Sequence, residues 1–381
     1  MNGILLYCRP GYEKECAAEI QVRATAMEAY GFAKVTPNAG YVVFECHSAE
    51  DVDTIAKKLP LSSLIFARQM IALHARVDDM PLYDRVNPVV AACDGIEGMG
   101  ELRVEMPDTN EGKELSKFCR KYTVPLRQSL RKADHLLAKE NKNRPVLHVF
   151  FFNNTSVFIG YSYSFNNSPL PMGIMRLKFP SKAPSRSTLK LEEAFHTFIP
   201  ADQWDRRIGG AMRAVDLGAC PGGWTYQLVQ RSMFVVAIDN GAMAESLMET
   251  GQVKHYEEDG FKYEPAKTTI AWTNRKLNGN KIKVPENPPV DMLVCDMIEK
   301  PERVARLMCK WLLNAWCKEA IFNLKLPLKR RYHTLEDCLA ILDKQLDDRF
   351  VIQAKHLYHD RDEVTVHVAW SHFIPDDKKA G

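Results

Sequence analysis

No charge of one sign dominates this chain: 51 Lys and Arg stand against 48 Asp and Glu over 381 residues, a net charge of +3. The total makes no case for a nucleic-acid partner, so any such case must come from how the charge is distributed. No apolar run approaches the roughly 20 residues that cross a bilayer, and the opening MNGILLYCRPG has too short an apolar stretch, with no basic region ahead of it, for a secretory leader. The ten cysteines are scattered singly, with no CxxC pair and no zinc-type His/Cys spacing. Free thiols in a reducing cytoplasm, away from membranes, are therefore expected. Internal repeats and low-complexity tracts are also lacking.

What is present is concentrated in AVDLGACPGGWTYQL, residues 214–228, where an apolar strand meets an Asp, then a turn of small residues, then a helix. Gly218, Ala219, Gly222 and Gly223 permit positive backbone angles and close approach of a ligand to the main chain. The glycines fall as GxxxGG, whereas a pyrophosphate cradle needs GxGxxG, and an NTPase loop needs Lys-Ser or Lys-Thr where Trp224 and Thr225 stand. S-adenosylmethionine, with a carboxylate and a ribose but no phosphate, is the remaining common occupant. Asp239 lies 23 residues beyond Asp216 at the end of the next strand, where an acid would bind ribose hydroxyls. Asp259, in EEDGF, is a candidate for the adenine amino group, although an Asp before Gly also simply makes turns.

Residues 166–190 carry four prolines, five Lys or Arg and no acid, and read as a basic interdomain linker. Before it, strands at 4–8, 41–45, 64–73, 102–105, 146–152 and 157–161 and helices at 13–30 and about 111–139 give an α+β, ferredoxin-like order. After it, strands at 214–217, 235–238, 292–295, 320–324, 351–357 and 364–369 alternate with helices at 223–231, 303–317 and 335–346. That order predicts a doubly wound α/β domain, a mostly parallel sheet closed by an antiparallel hairpin. The expected division is 1–60, an α+β ferredoxin-like subdomain; 61–165; a linker at 166–186; and the α/β domain at 187–381.

Four charges form a set: Lys190 opens the helix after SRST, Asp296 ends the strand MLVCD, Lys325 ends IFNLK, and Glu363 opens EVTVHVAW. Each alone would be an ordinary solvated residue. Asp296 and Lys325, however, end predicted strands, where open α/β sheets bind ligands. Methyl transfer to a hydroxyl needs the proton to leave as the methyl arrives. A lysine, with a solution pKa of roughly 10.4, can take it near neutrality where burial or neighbouring positive charge favours the free amine. Lys325 is read as the base, with Lys190, Asp296 and Glu363 positioning and tuning it.

Two other chemistries remain open. Asn287 to Val290, NPPV, resembles the NPPY motif of amino-group methyltransferases but precedes its strand and lacks the aromatic. Cys220 could suggest a thiol nucleophile, although no base accompanies it. Residues 113–144 hold ten Lys or Arg against three acids, with Phe118, Tyr122 and His135 interleaved, and Lys329, Arg330 and Arg331 follow the proposed base. A phosphate-tracking surface is one reading and solvated helix faces the other. A non-catalytic RNA-binding assembly factor would share that surface.

SRSTLK, DLGACPGGWTYQL, CDM, NLKLP and DRDEVTVHV follow one another in this order, with FCRKYTVPLR and YSYSFNNSP ahead of them. On these motifs the chain closely resembles the bacterial large-subunit ribosomal RNA 2′-O-ribose methyltransferase M family, nearly end to end. Its second half is also similar to the heat-shock and flaviviral ribose methyltransferases that carry a Lys-Asp-Lys-Glu tetrad. The resemblance implies that Lys190, Asp296, Lys325 and Glu363 are the tetrad. It implies cofactor contacts at Ser187, Cys220, Pro221, Gly222, Gly223, Asp239, Asp259 and Asp296. It further implies a THUMP-type RNA-binding region before the linker. The implied substrate is one cytidine in the peptidyl-transferase loop of 23S rRNA, naked or in a pre-ribosomal particle. Residues 267–289, containing TNRKLNGNKIKVPENPP, look longer than that family leads one to expect and are read as a basic surface loop.

Overall fold

A computed structural model describes residues 1–265, 269–277 and 280–375, and divides the chain into two compact units, Met1–Met175 and Arg176–Gly381. The first runs β1 (Gly3–Tyr7), α1 (Glu13–Thr25), β2 (Gly31–Val35), β3 (Tyr41–Cys46), α2 (Ala49–Lys58), β4 (Gln69–Val77), α3 (Val86–Ala91), β5 (Glu101–Glu105), α4 (Asn110–Lys132), β6 (Val146–Phe151) and β7 (Val157–Ser162). Its strands form one seven-stranded sheet in the order β2-β3-β1-β4-β7-β6-β5, antiparallel except for β5 against β6. Central β4 pairs with β1 on one side and β7 on the other, so the sheet is continuous through the whole unit.

The helix expected over 13–30 stops at Thr25, because Glu28 turns the backbone to φ 58, and the chain returns as β2. That edge strand is half to fully exposed along its length and shows no apolar alternation to betray it. Asn166 is buried, accepting from Leu61 N and donating to Ala56 O and Leu59 O. The start of the proline-rich stretch is thereby fastened to the first unit.

The second unit runs α5 (Thr188–Phe198), α6 (Trp204–Arg207), β8 (Arg213–Leu217), α7 (Gly223–Gln230), β9 (Phe234–Ile238), α8 (Glu245–Met248), β10 (Val253–Tyr256), β11 (Trp272–Leu277), β12 (Asn280–Pro285), β13 (Val290–Cys295), α9 (Pro301–Leu313), β14 (Cys317–Lys325), α10 (Arg331–Gln345), β15 (Phe350–Lys355) and β16 (Glu363–Trp370). Its main sheet has the order β10-β9-β8-β13-β14-β16-β15, parallel apart from β16, which lies antiparallel between β14 and β15. The strand order reverses at β8 and β13, the crevice where open α/β sheets bind their ligands. β13 is buried along its whole length and is apolar apart from Asp291, which pairs with Lys318, as suits a central parallel strand.

A further expectation needs correction. Residues 272–277 and 280–285 are strands: β11 and β12 pair antiparallel from Trp272 opposite Pro285 to Leu277 opposite Asn280. In β12 Lys281 and Lys283 alternate with Ile282 and Val284, the period of a strand with one face buried, while the adjacent Arg275 and Lys276 of β11 disguised the pair. Lys267 lies outside the described residues.

Candidate active site

β8 delivers Asp216 and Leu217 into the small-residue turn, where Gly218 and Gly222 have φ of 78° and 114°. A Cβ at Gly222 would stand 2.2 Å from Leu247 Cδ1, and one at Gly223 would stand 2.1 Å from Ser187 Oγ. The glycines let the turn close against α8 on one side and the start of α5 on the other. Ser187 is thus beside the turn. Cys220 N and Gly241 N donate to the two oxygens of Asp239 at 2.9 and 2.8 Å, which ties the end of β9 to the same turn.

Asp259 is exposed and accepts from Phe261 N at 2.9 Å, the local turn that an Asp before Gly makes. The turn still belongs to this neighbourhood, since a Cβ at Gly260 would meet Met297 Sδ at 2.9 Å.

The four charged residues converge. β14 and β16 place Lys325 directly opposite Glu363, and Asp296 follows the adjacent β13. Lys325 Nζ is 2.5 Å from Asp296 Oδ1 and 3.8 Å from Glu363 Oε2. Lys190, from the first turn of α5, lies 2.5 Å from Glu363 Oε1 and 3.4 Å from Asp296 Oδ2. Each acid therefore bridges both lysines. Burial disfavours the Lys190 ammonium, but Asp296 and Glu363 outweigh it and raise its pKa. Lys190 is thereby held as a fixed cation between the two acids.

Three residues outside the expected set complete the geometry. Glu193, one turn beyond Lys190 on α5, accepts from Tyr358 N and His359 N at 2.8 Å each and from His359 Nδ1 at 2.6 Å. It thereby fixes the loop that leads into Glu363. Asn323 Nδ2 donates to Asp296 Oδ1 at 2.8 Å. Asp216 is buried beneath the turn: its Oδ2 accepts from Thr225 Oγ1 at 2.7 Å, while its Oδ1 has no hydrogen-bond partner. Burial pushes this carboxyl up to about 7, with Asp296 and Asp239 adding to the shift. Its signal in the sequence was its place beside the glycines.

The alternatives fare differently. NPPV leads into the amino end of β13, whereas Asp296 follows its carboxyl end, so the motif and Asp296 lie at opposite ends of that strand. Asn287 instead accepts from Ala271 N, closing the base of the β11–β12 ribbon. The Cys220 thiol is raised by burial and by Asp239, and points at Ala242 O at 3.0 Å, which leaves it protonated rather than nucleophilic.

Comparison with known proteins gives the lineage. Residues 1–71 match the family described as RlmM ferredoxin-like domain, 84–163 that of the ribosomal RNA large subunit methyltransferase M N-terminal region, and 183–320 the FtsJ-like methyltransferase family. A relative from Pectobacterium carotovorum, named ribosomal RNA large subunit methyltransferase M, is 58% identical over 377 residues, covering 97% of this chain and 98% of its own. One of the same name from Edwardsiella ictaluri is 59% identical over 372 residues, covering 97% and 94%. The chain belongs to the ribosomal RNA large subunit methyltransferase M family.

In this member of the methyltransferase M family the basic segment of the first unit divides by role. Tyr122, buried, and Phe118, half-buried, pack edge-on against Phe151, which commits both rings to the core of this unit. His135 is tied to Ile96 O. Lys113, Lys117, Arg120, Lys121 and Lys132 lie exposed along α4, whose other face buries Cys119, Tyr122, Leu126 and Leu130. In the second unit Lys329 and Arg330 are exposed, whereas Arg331 pairs with Asp362 at 2.8 Å and serves the fold.

Proposed function

We propose that this chain methylates the 2′-hydroxyl of a cytidine ribose in the peptidyl-transferase loop of 23S rRNA, using S-adenosylmethionine, with Lys325 taking the hydroxyl proton. The observation that carries the reading is the alternation of two lysines and two acids, all within 2.5 to 3.8 Å, at the strand ends beside the glycine turn. The curated relatives' name supports the ribosomal RNA substrate. Nothing in an amino-group transfer needs a second lysine beside the first.

The residues around the turn fit the cofactor. Asp216, Asp239 and Asp296 bring three carboxyls to one place, and one of them has a buried oxygen without a partner. A ligand carrying an ammonium and a sulfonium suits acceptor oxygens gathered in this way, the partnerless Asp216 Oδ1 above all. Ser187 and the turn from Cys220 to Gly223 would hold its amino-acid end, Asp239 its ribose, Asp259 its adenine edge and Asp296 its sulfonium side. When bound, S-adenosylmethionine supplies a methyl group on a positively charged sulfur. Lys190, held charged, keeps Asp296 and Glu363 in line. Those acids aim Lys325 Nζ at the incoming hydroxyl, so that the proton has an acceptor as its oxygen becomes a nucleophile.

The exposed basic face of α4 supports a THUMP-type RNA-binding role for the region before the linker, with phosphate contacts positioning the substrate. Among the described residues no helix is long and apolar enough to cross a membrane, and we place the reaction in the cytoplasm, on naked or partly assembled ribosomal RNA.

Lys325→Ala tests the base. Transfer to a 23S rRNA transcript should fall by about 10²- to 10⁴-fold, the usual worth of a positioned acid–base group, while S-adenosylmethionine still binds. Turnover near wild type would refute the assignment. Alkaline cleavage of the labelled product locates the methyl, because a methylated 2′-oxygen cannot attack its own phosphate. Label on a cleavable nucleotide would instead point to a base nitrogen.

A further inference from the structure

Behind the tetrad lies a second polar rung on the same face of the sheet. Asn323 pairs directly with Thr365, just as Lys325 pairs with Glu363, and spacing by two residues keeps both rungs on one face. Asn323 and Thr365 are 0% exposed and Asp360 is 1% exposed. Asn323 Nδ2 donates to Asp296 Oδ1 at 2.8 Å, the oxygen that also receives Lys325 Nζ at 2.5 Å. Asn323 Oδ1 lies 2.7 Å from Thr365 Oγ1, which in turn lies 3.0 Å from each oxygen of Asp360. Leu357 N donates to Asp360 Oδ2 at 2.9 Å.

Thr365 has one hydroxyl hydrogen to serve these contacts. Given to an Asp360 carboxylate, it leaves two oxygens facing each other at Asn323, and rotating the amide only moves that clash to Asp296, whose oxygen can accept but not donate. If Asp360 carries its own proton, that proton goes to Thr365, Thr365 donates to Asn323 Oδ1, and Asn323 Nδ2 is locked toward Asp296. Only the second arrangement satisfies every group.

We propose that Asp360, as a carboxylic acid, together with Thr365 and Asn323, forms a hydrogen-bonded brace that sets the orientation of Asp296 and hence of Lys325. These are positioning residues, and the inference rests on Lys325 being the base. Independent support comes from the surroundings of Asp360. Burial holds its carboxyl well above the ordinary range, Glu363 on β16 and Glu193 on α5 reinforce this, and the Leu357 amide and Lys190 oppose it without prevailing. The brace thus keeps a third negative charge out of the tetrad while passing on a fixed hydrogen-bond direction.

The test compares Thr365→Val, Thr365→Ser, Asp360→Ala and Asp360→Asn in the full chain, alongside Lys325→Ala. The readouts are kcat and KM on a 23S rRNA transcript and Kd for S-adenosylmethionine. A side-group carboxamide can donate to Thr365 as the acid does, so Asp360→Asn and Thr365→Ser should keep kcat within about threefold. Thr365→Val and Asp360→Ala should lose about 10- to 100-fold in kcat, the scale of a 1 Å misplacement, with KM and Kd unchanged. A mere loss of packing would lower the melting temperature without this split between kcat and KM. Wild-type kcat in Thr365→Val, or Asp360→Asn no better than Asp360→Ala, would overturn the brace. If Thr365→Val does not fold, the Asp360 pair decides. Retained turnover in Lys325→Ala would instead remove the base assignment on which the brace depends, and an inactive Lys325→Ala beside an intact Thr365→Val would remove the brace alone.

Discussion

Asp216→Asn should make the ligand-free protein less sensitive to alkaline pH while weakening its hold on S-adenosylmethionine. The Asp216 carboxyl is raised from 3.8 to about 7, chiefly by burial beneath the glycine turn. A group whose folded pKa is raised binds its proton more tightly in the folded state. Its contribution to stability is therefore full below pH 3.8, declines as pH rises, and is gone above about pH 7. At about 1.4 kcal/mol per unit, the whole window is worth about 4 kcal/mol, and the part between pH 5 and pH 8 about 2–3 kcal/mol. Asparagine does not titrate, so it lacks that dependence whatever its constant cost at the site.

Denaturant unfolding at pH 5 and pH 8 measures the effect. Between the two pH values wild type should lose about 2–3 kcal/mol more than the variant. Adding S-adenosylmethionine at pH 8 should restore wild type strongly, because a cation opposite the bare Oδ1 removes the reason for the raised pKa, and should restore the variant far less. Equal pH dependence in the two proteins would refute the claim that Asp216 is the carboxyl that burial keeps protonated. Equal stabilisation by the cofactor would refute its role in binding.

Gly222→Ala should weaken cofactor binding at least tenfold and destabilise by about 1–3 kcal/mol, the cost of a non-glycine residue held in such a backbone conformation, since the residue has φ 114° and its Cβ would meet Leu247 at 2.2 Å; calorimetry and melting curves check both. Glu193→Ala frees two backbone amides of the loop ahead of Glu363, and kcat should fall while Kd for S-adenosylmethionine holds. Replacing Lys113, Lys117, Arg120 and Lys121 on α4 with Glu should weaken RNA binding and flatten its salt dependence by roughly 0.7–0.9 per lost phosphate contact, leaving cofactor affinity as it was; an unchanged salt slope would remove that face from the RNA path.

The cluster of four charges was legible because open α/β sheets bind ligands at their strand ends, and Asp296 and Lys325 close two runs whose apolar character was plain. Lys190 and Glu363 stood beside long motifs that carried the family resemblance. β2 and β10 were illegible because edge strands this short or this exposed need no apolar pattern. The β11–β12 ribbon was masked by its charge, and Phe118 and Tyr122 were misleading because a basic helix still has a buried face. Asp360 and Glu193 act through contacts with residues distant in sequence or through a turn, and no spacing announces either.

The polar residues that interrupt β14 and β16 show what a sequence pattern can and cannot distinguish. Glu319, Asn323 and Lys325 share one face of β14, and Glu363, Thr365 and His367 share the matching face of β16. At the amino end of β14, Glu319 is consumed by Arg207 at 2.6 Å and His367 at 2.8 Å, a buried and self-satisfied cluster with no oxygen left for a substrate. At the carboxyl end the same alternation leaves Lys325 partly open while its neighbours hold it in place. One stripe of polar residues therefore closes on itself at one end of the sheet and leaves a partly open lysine at the other. Period-two spacing is identical along the stripe, so the distinction lies in which end of the parallel sheet faces the glycine turn.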